Sequence, residues 1–119
     1  KNPKTNREMF TNKRSQYYSI LRDRMLKTYL AVEKGERAFS PDDLISFSSE
    51  ISEIRALRAE LCRIPRKYNS SGRIQLMTKQ EMLKDGIDSP NMADAVMMLM
   101  RKVELAKKPV RKLHFEGWA

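Results

Sequence analysis

The chain has 119 residues, 40% hydrophobic and 33% charged, with 24 Lys and Arg against 15 Asp and Glu for a formal charge of +9. That length allows one small domain or a piece of a larger one, with a modest core, and the positive excess favours a polyanion partner, above all nucleic acid, although a solvated Lys/Arg surface gives the same count. One cysteine, Cys62, and one histidine, His114, exclude a disulfide framework and a Cys/His zinc site, and no apolar run approaches the roughly 18 residues of a membrane span.

Residues 1–10 are polar, carry no signal-peptide core and read as loose. From about residue 12 to 34, Tyr17, Leu21, Met25, Tyr29 and Val32 recur at spacings of three and four, which predicts an amphipathic helix ending at Gly35. "SPDDLISFSSEISEIRAL" opens with Ser40 as a cap, Pro41 at the first helical position and two aspartates suited to a helix start. Leu44, Phe47, Ile51 and Ile54 then mark the buried stripe of a second helix over about 41–58.

In "LCRIPRKYNSSGRIQLM" the period changes to alternation, which predicts a β-hairpin over about 61–77 with Cys62 a buried strand residue. Pro65 confines its first strand to an edge or a bulge. A lone hairpin is marginal in water, and no obvious third strand follows, so its sheet partners are expected from elsewhere. "TKQEMLKDG" carries the capping-box spacing of Thr78 and Glu81 before a short helix at about 79–85. Ser89 and Pro90 then open a last helix to about residue 107. The tail has no clear period; Phe115 and Trp118 are its candidate anchors, and a lone His114 there is more simply neither ligand nor base.

The last helix raises the sharpest question. "SPNMADAVMMLM" is apolar nearly all round, the pattern of a buried helix, yet Asp94 sits inside it. A buried carboxylate needs a partner: a cation, a hydrogen-bond donor or a metal ion. Asn91 falls on the same face, three residues earlier, and small Ala93 and Ala95 leave access. One aspartate does not make a site for a hard ion such as Mg²⁺, and pairing with an Arg or Lys, or capping a backbone group, explains the spacing more simply. Met92, Met97, Met98 and Met100 read as core filler.

Arg63, Arg66, Lys67, Tyr68 and Arg73 gather at the hairpin, with Arg55, Arg58 and Lys79 on its approaches. Guanidinium forks suit phosphate oxygens, and Tyr68 offers stacking. Such a hairpin could track a nucleic-acid backbone, or its charges could simply protect an exposed strand edge. "SSG" at the tip is better explained as a tight turn than as a phosphate cradle.

Taken in order, "SSGRIQ", "KQEM" and "SPNMADA", preceded by "NKRSQYYSILRDRM" and "FSPDDLISFSSEI", resemble the end of the phage terminase large subunit over about residues 10–105. The resemblance implies the C-terminal portion of a ribonuclease H-like α/β nuclease domain, here an α+β fragment that is mainly helical with one hairpin. It implies double-stranded DNA as substrate, Mg²⁺ or Mn²⁺ as cofactor, and a two-metal mechanism in which acids from separate strands join one from the last helix. Asp94 matches the Asp of the family's "ADA" element; many relatives have an acid where this chain has Asn91, and which of the two binds metal stays open. Portal and small terminase subunit are the implied protein partners, the bacterial host cytoplasm the implied location, and no membrane is involved. The family's first acidic strands and its ATPase have no counterpart in these residues, and no "GxxxxGK" loop occurs. The 119 residues alone are therefore expected to form a single partial, inactive domain. A non-catalytic basic nucleic-acid-binding module is the alternative, and a protein-docking element the third reading.

Overall fold

The computed structural model describes residues 3–107. Among them the chain forms five α-helices and one two-stranded antiparallel sheet.

The opening residues are not loose. Helix α1 (Asn6–Met9) is held by a capping box: the Thr5 hydroxyl accepts from Glu8 N, and the Glu8 carboxylate accepts from Thr5 N at 2.8 Å. Phe10 follows, buried, and bridges to Ile74 in parallel sense, with Thr11 N donating to the Ile74 carbonyl at 3.0 Å. The hairpin edge thus gains one residue of partner backbone from this chain itself.

Helix α2 (Lys13–Glu33) starts at the Asn12 cap and stops before Gly35, whose φ of 69° suits only glycine readily. Its burial lies in the first half, at Ser15, Gln16, Tyr18, Ser19 and Leu21. The expected stripe fades towards the other end, where Tyr29 and Val32 are 49% and 72% exposed. The last helix and the hairpin pack on α2, and its second half is held more lightly, by half-buried Met25 and the bonds of Arg24 and Thr28 to residues 44 and 45.

The predicted 41–58 helix does not form. Ser40 and Pro41 do start a turn, but it is a single 3₁₀ turn, Pro41–Asp43. Beyond it α2 takes the backbone groups a helix would use. Arg24 Nη2 donates to the Leu44 carbonyl at 2.8 Å, and Thr28 Oγ1 accepts from Ile45 N at 2.8 Å. Three serines in "ISFSS" offer little helical preference against those bonds.

Helix α3 (Ile54–Arg63) begins only afterwards and runs through residues expected to be strand. Leu57 is buried and Leu61 and Ile64 half-buried, at spacings of four and three, so the helical period prevails over the alternation; Cys62 lies exposed on the outer face. Pro65 disfavours helical geometry in the residue before it. The hairpin is accordingly short: β1 (Arg66–Tyr68) pairs with β2 (Ile74–Leu76), Lys67 opposite Gln75. Its tip is a turn built by Asn69, whose Oδ1 accepts from Ser71 N and Arg73 N at 3.0 and 2.9 Å, with Gly72 at φ 78°.

Helix α4 (Lys79–Lys84) carries the predicted Thr78 cap. Helix α5 (Asn91–Lys107) packs on α2 and α3. Tyr18, Leu21, Leu57, Leu76, Ala93, Met97 and Met100 form the core between these elements. Helix α5 is not buried all round: Met98 and Leu99 are 67% and 54% exposed. No described helix is long and apolar enough to cross a membrane. His114, Phe115 and Trp118 lie outside the described residues.

Candidate active site

Three helices converge on Asp94. It occupies the first turn of α5 with its side chain 13% exposed. From α2, the Tyr18 hydroxyl donates to Asp94 Oδ1. From the start of α4, Lys79 Nζ lies 2.7 Å from Oδ2. Arg14, one helical turn before Tyr18 and on the same face of α2, places Nε 3.9 Å from Oδ1 and its guanidinium 5.3 Å from the Tyr18 ring centre. Of the three partners a buried carboxylate can take, the described residues supply the first two.

The balance of charge is one-sided. Two cations face one carboxylate, and Arg14 Nε and Nη2 are buried with no hydrogen-bond acceptor, only Nη1 being used, on the Met77 carbonyl at 3.0 Å. Unmatched buried donors are costly, so this corner is short of anionic oxygen. Among the described residues no group of three acidic, His or Cys side chains stands close enough to hold a metal.

Tyr18 is the most perturbed group. Burial first, then its bond to Asp94 and that carboxylate's charge, push the phenol well above its ordinary value of 10.0. Tyr18 therefore stays a donor across the physiological range. The folded state holds this proton more tightly than the unfolded chain, so its contribution is complete below pH 10 and is lost above it. Stability should fall by up to about 1.4 kcal/mol per pH unit above pH 10 beyond the loss shown by Tyr18→Phe. Parallel denaturant titrations of the two proteins check this, and equal slopes would contradict it.

Asn91 is exposed, and its Oδ1 accepts from Ser89 Oγ at 2.9 Å. The Ser89 hydroxyl is thus turned to a side chain instead of capping the helix amides. The hairpin residues do not share one surface. β-strand alternation puts Arg66 and Tyr68 on one face of β1 and Lys67 on the other. Lys67 Nζ lies 3.7 Å from Glu81 of α4, and Arg63 Nε folds back onto the Ala59 carbonyl at 3.1 Å. Arg73 is half-buried beside the turn, while Tyr68 is 66% exposed. Sequence reasoning missed Arg14 and Tyr18 as partners of Asp94 and placed Lys79 only in the basic cluster. The available signal was the Arg-x-x-x-Tyr spacing beside Leu21.

No protein-family model matches the chain, and no curated protein does. Solved structures do. The nuclease domain of the large terminase subunit gp2 of bacterial virus Sf6 matches with a TM-score of 0.73 at 50% identity, over 78% of this chain and 42% of that one. A lysine-to-alanine variant of that domain with manganese gives 0.74 at 48%, over 78% and 43%, and the variant with calcium gives 0.74 at 48%, over 78% and 42%. The chain belongs to the phage large-terminase nuclease family. It spans less than half the length of the solved terminase domains it matches. The helices and the single hairpin are therefore a fragment of the terminase nuclease fold.

Proposed function

We propose that this chain is the C-terminal portion of the DNA-cleaving nuclease of a viral packaging motor, and that Asp94 is its contribution to a divalent-metal site. The observation that carries the reading is the placement of Asp94, a nearly buried acid where three helices meet, within a fold half identical in sequence to a terminase nuclease domain. The Sf6 domain has been solved with manganese and with calcium, which supports Mg²⁺ or Mn²⁺ here.

The donor chemistry fits as one part of such a site. A carboxylate oxygen is the hard ligand these ions prefer, and the unmatched Arg14 nitrogens leave room in the charge balance for more acids. The matched terminase domain is more than twice as long as the part this chain covers, and the further acids are proposed to come from there. When bound, a metal pair supplies an activated water and stabilises the leaving oxygen of a phosphodiester. The chain's own side chains have simpler tasks. Tyr18 holds Oδ1 and so fixes the direction of the carboxylate. Lys79, half-exposed, neutralises Oδ2 and is free to withdraw into solvent. Arg14 braces the Tyr18 ring. Asn91 is the secondary candidate, a neutral oxygen that would first have to release Ser89.

Arg63, Arg66, Lys67, Tyr68 and Arg73 are proposed to meet the phosphate backbone of double-stranded DNA, using more than one face of the hairpin. Portal and small terminase subunit are the protein partners that the family suggests, in the host cytoplasm.

The nuclease domain carrying this chain should cut plasmid DNA with Mn²⁺ and stop when EDTA is added. Salt-sensitive binding that ignores both additions, with no cutting, would instead favour a non-catalytic basic module. That alternative draws on the ion pair already satisfying Asp94.

A further inference from the structure

A second acid lies in a greasy face. Glu60 occupies the inner stripe of α3 among Leu57, Leu61 and Ile64 and is only 6% exposed. Burying a carboxylate there is costly without a specific partner. Its partner is backbone: Oε1 accepts from Met92 N at 3.3 Å, in the first turn of α5. The residues that open α5 have other partners. The Ser89 hydroxyl is spent on Asn91, Pro90 has no N–H, and Asn91 N is taken by the Ser89 carbonyl at 3.0 Å. The amide that Glu60 takes is two residues from Asp94. A negative group at a helix start also meets the favourable end of the dipole.

We propose that Glu60 is a positioning residue of the nuclease site: from α3 it grips the Met92 amide and so fixes the opening turn of α5 on which Asp94 is aimed at Tyr18 and Lys79. The role is mechanical: Glu60 Oε1 holds a backbone amide of α5. The inference rests on the nuclease reading above for its catalytic consequence, though not for the grip itself.

The test uses the intact nuclease domain with Glu60→Ala, Glu60→Asp, Glu60→Gln and, as a control, Leu57→Ala. Leu57 is buried on the same helix but belongs to the apolar core. Exchange of the Met92 amide is followed by NMR, and kcat and KM for plasmid cleavage are measured with Mn²⁺ well below the melting temperature. In Glu60→Ala the Met92 amide should exchange about tenfold faster or more. Its kcat should fall by a similar factor with KM for DNA little changed. Glu60→Gln keeps an acceptor oxygen and should restore both, whereas Glu60→Asp, one methylene short, should not. Leu57→Ala should lower the melting temperature yet leave kcat near wild type.

Unchanged Met92 exchange in Glu60→Asp or Glu60→Ala overturns the proposal, and so does an equal loss of kcat in Leu57→Ala. If wild type itself fails to cut, the nuclease reading falls, and faster Met92 exchange still upholds the grip. If Glu60→Ala is too unstable to study, the Asp and Gln pair decides the matter alone.

Discussion

Asp94→Asn in the nuclease domain carrying this chain lowers metal-dependent DNA cleavage by about 1000-fold or more, and the fold survives. The size follows from the several kcal/mol that a metal site contributes to a phosphodiester transition state, each 1.4 kcal/mol being about tenfold. Asparagine is the informative replacement because of what surrounds the acid. It keeps an oxygen for the Tyr18 hydroxyl while removing the charge. Alanine would also strand the Tyr18 hydroxyl and leave Arg14 facing no anion, at a cost of about 1–3 kcal/mol for a buried group left unpaired. The Lys79 share of that loss is small, since its side chain is 51% exposed. Cleavage rates and melting curves of both variants separate the two effects. An asparagine variant that cuts within tenfold of wild type would leave Asp94 a structural ion-pair residue and nothing more.

Leu21→Ala should be the most damaging apolar truncation on α2. Leu21 is 0% exposed and packs among Tyr18, Leu57, Leu76 and Met97, where three helices and the hairpin meet. A leucine-to-alanine cavity in such a place costs about 2–5 kcal/mol, a large share of the 5–15 kcal/mol typical of a whole domain. Val32→Ala, on the same helix but 72% exposed, should stay within about 0.5 kcal/mol. Urea titrations should show the midpoint falling for Leu21→Ala at constant slope. Equal midpoints for the two variants would mean that the first half of α2 is not where the fold is held.

What the sequence made legible was largely local. Lys13–Glu33 and Lys79–Lys84 follow apolar spacing and caps that lie within the segments themselves. The Thr5 and Glu8 box was equally readable and was overlooked because its neighbours are polar. The region after Pro41 failed for another reason. Its start signal was real, but from α2 Arg24 takes the Leu44 carbonyl and Thr28 the Ile45 amide, and no pattern in residues 41–58 announces them. Cys62 was misplaced because alternation and helical spacing coincide over a few residues; Leu57 and Leu61, just before it, decided for the helix. At the site, Asp94 stood out as an isolated acid among apolar neighbours. Glu60 did not, since acids are common on a charged helix and its inward direction emerges only once α5 lies beside α3.

Sequence separations around the acid carry a last consequence. Tyr18 and Asp94 lie 76 positions apart, and the bonds that Arg14 donates to the Met77 carbonyl and that Ser15 Oγ accepts from Leu76 N close gaps of 63 and 61. Closing loops of that size costs entropy that the contacts across them must offset. The grip on the carboxylate is therefore a collective property of α2, α4 and α5 rather than one belonging to any single helix. Opening near either Tyr18 or Asp94 therefore releases the carboxylate from its partners on both sides at once.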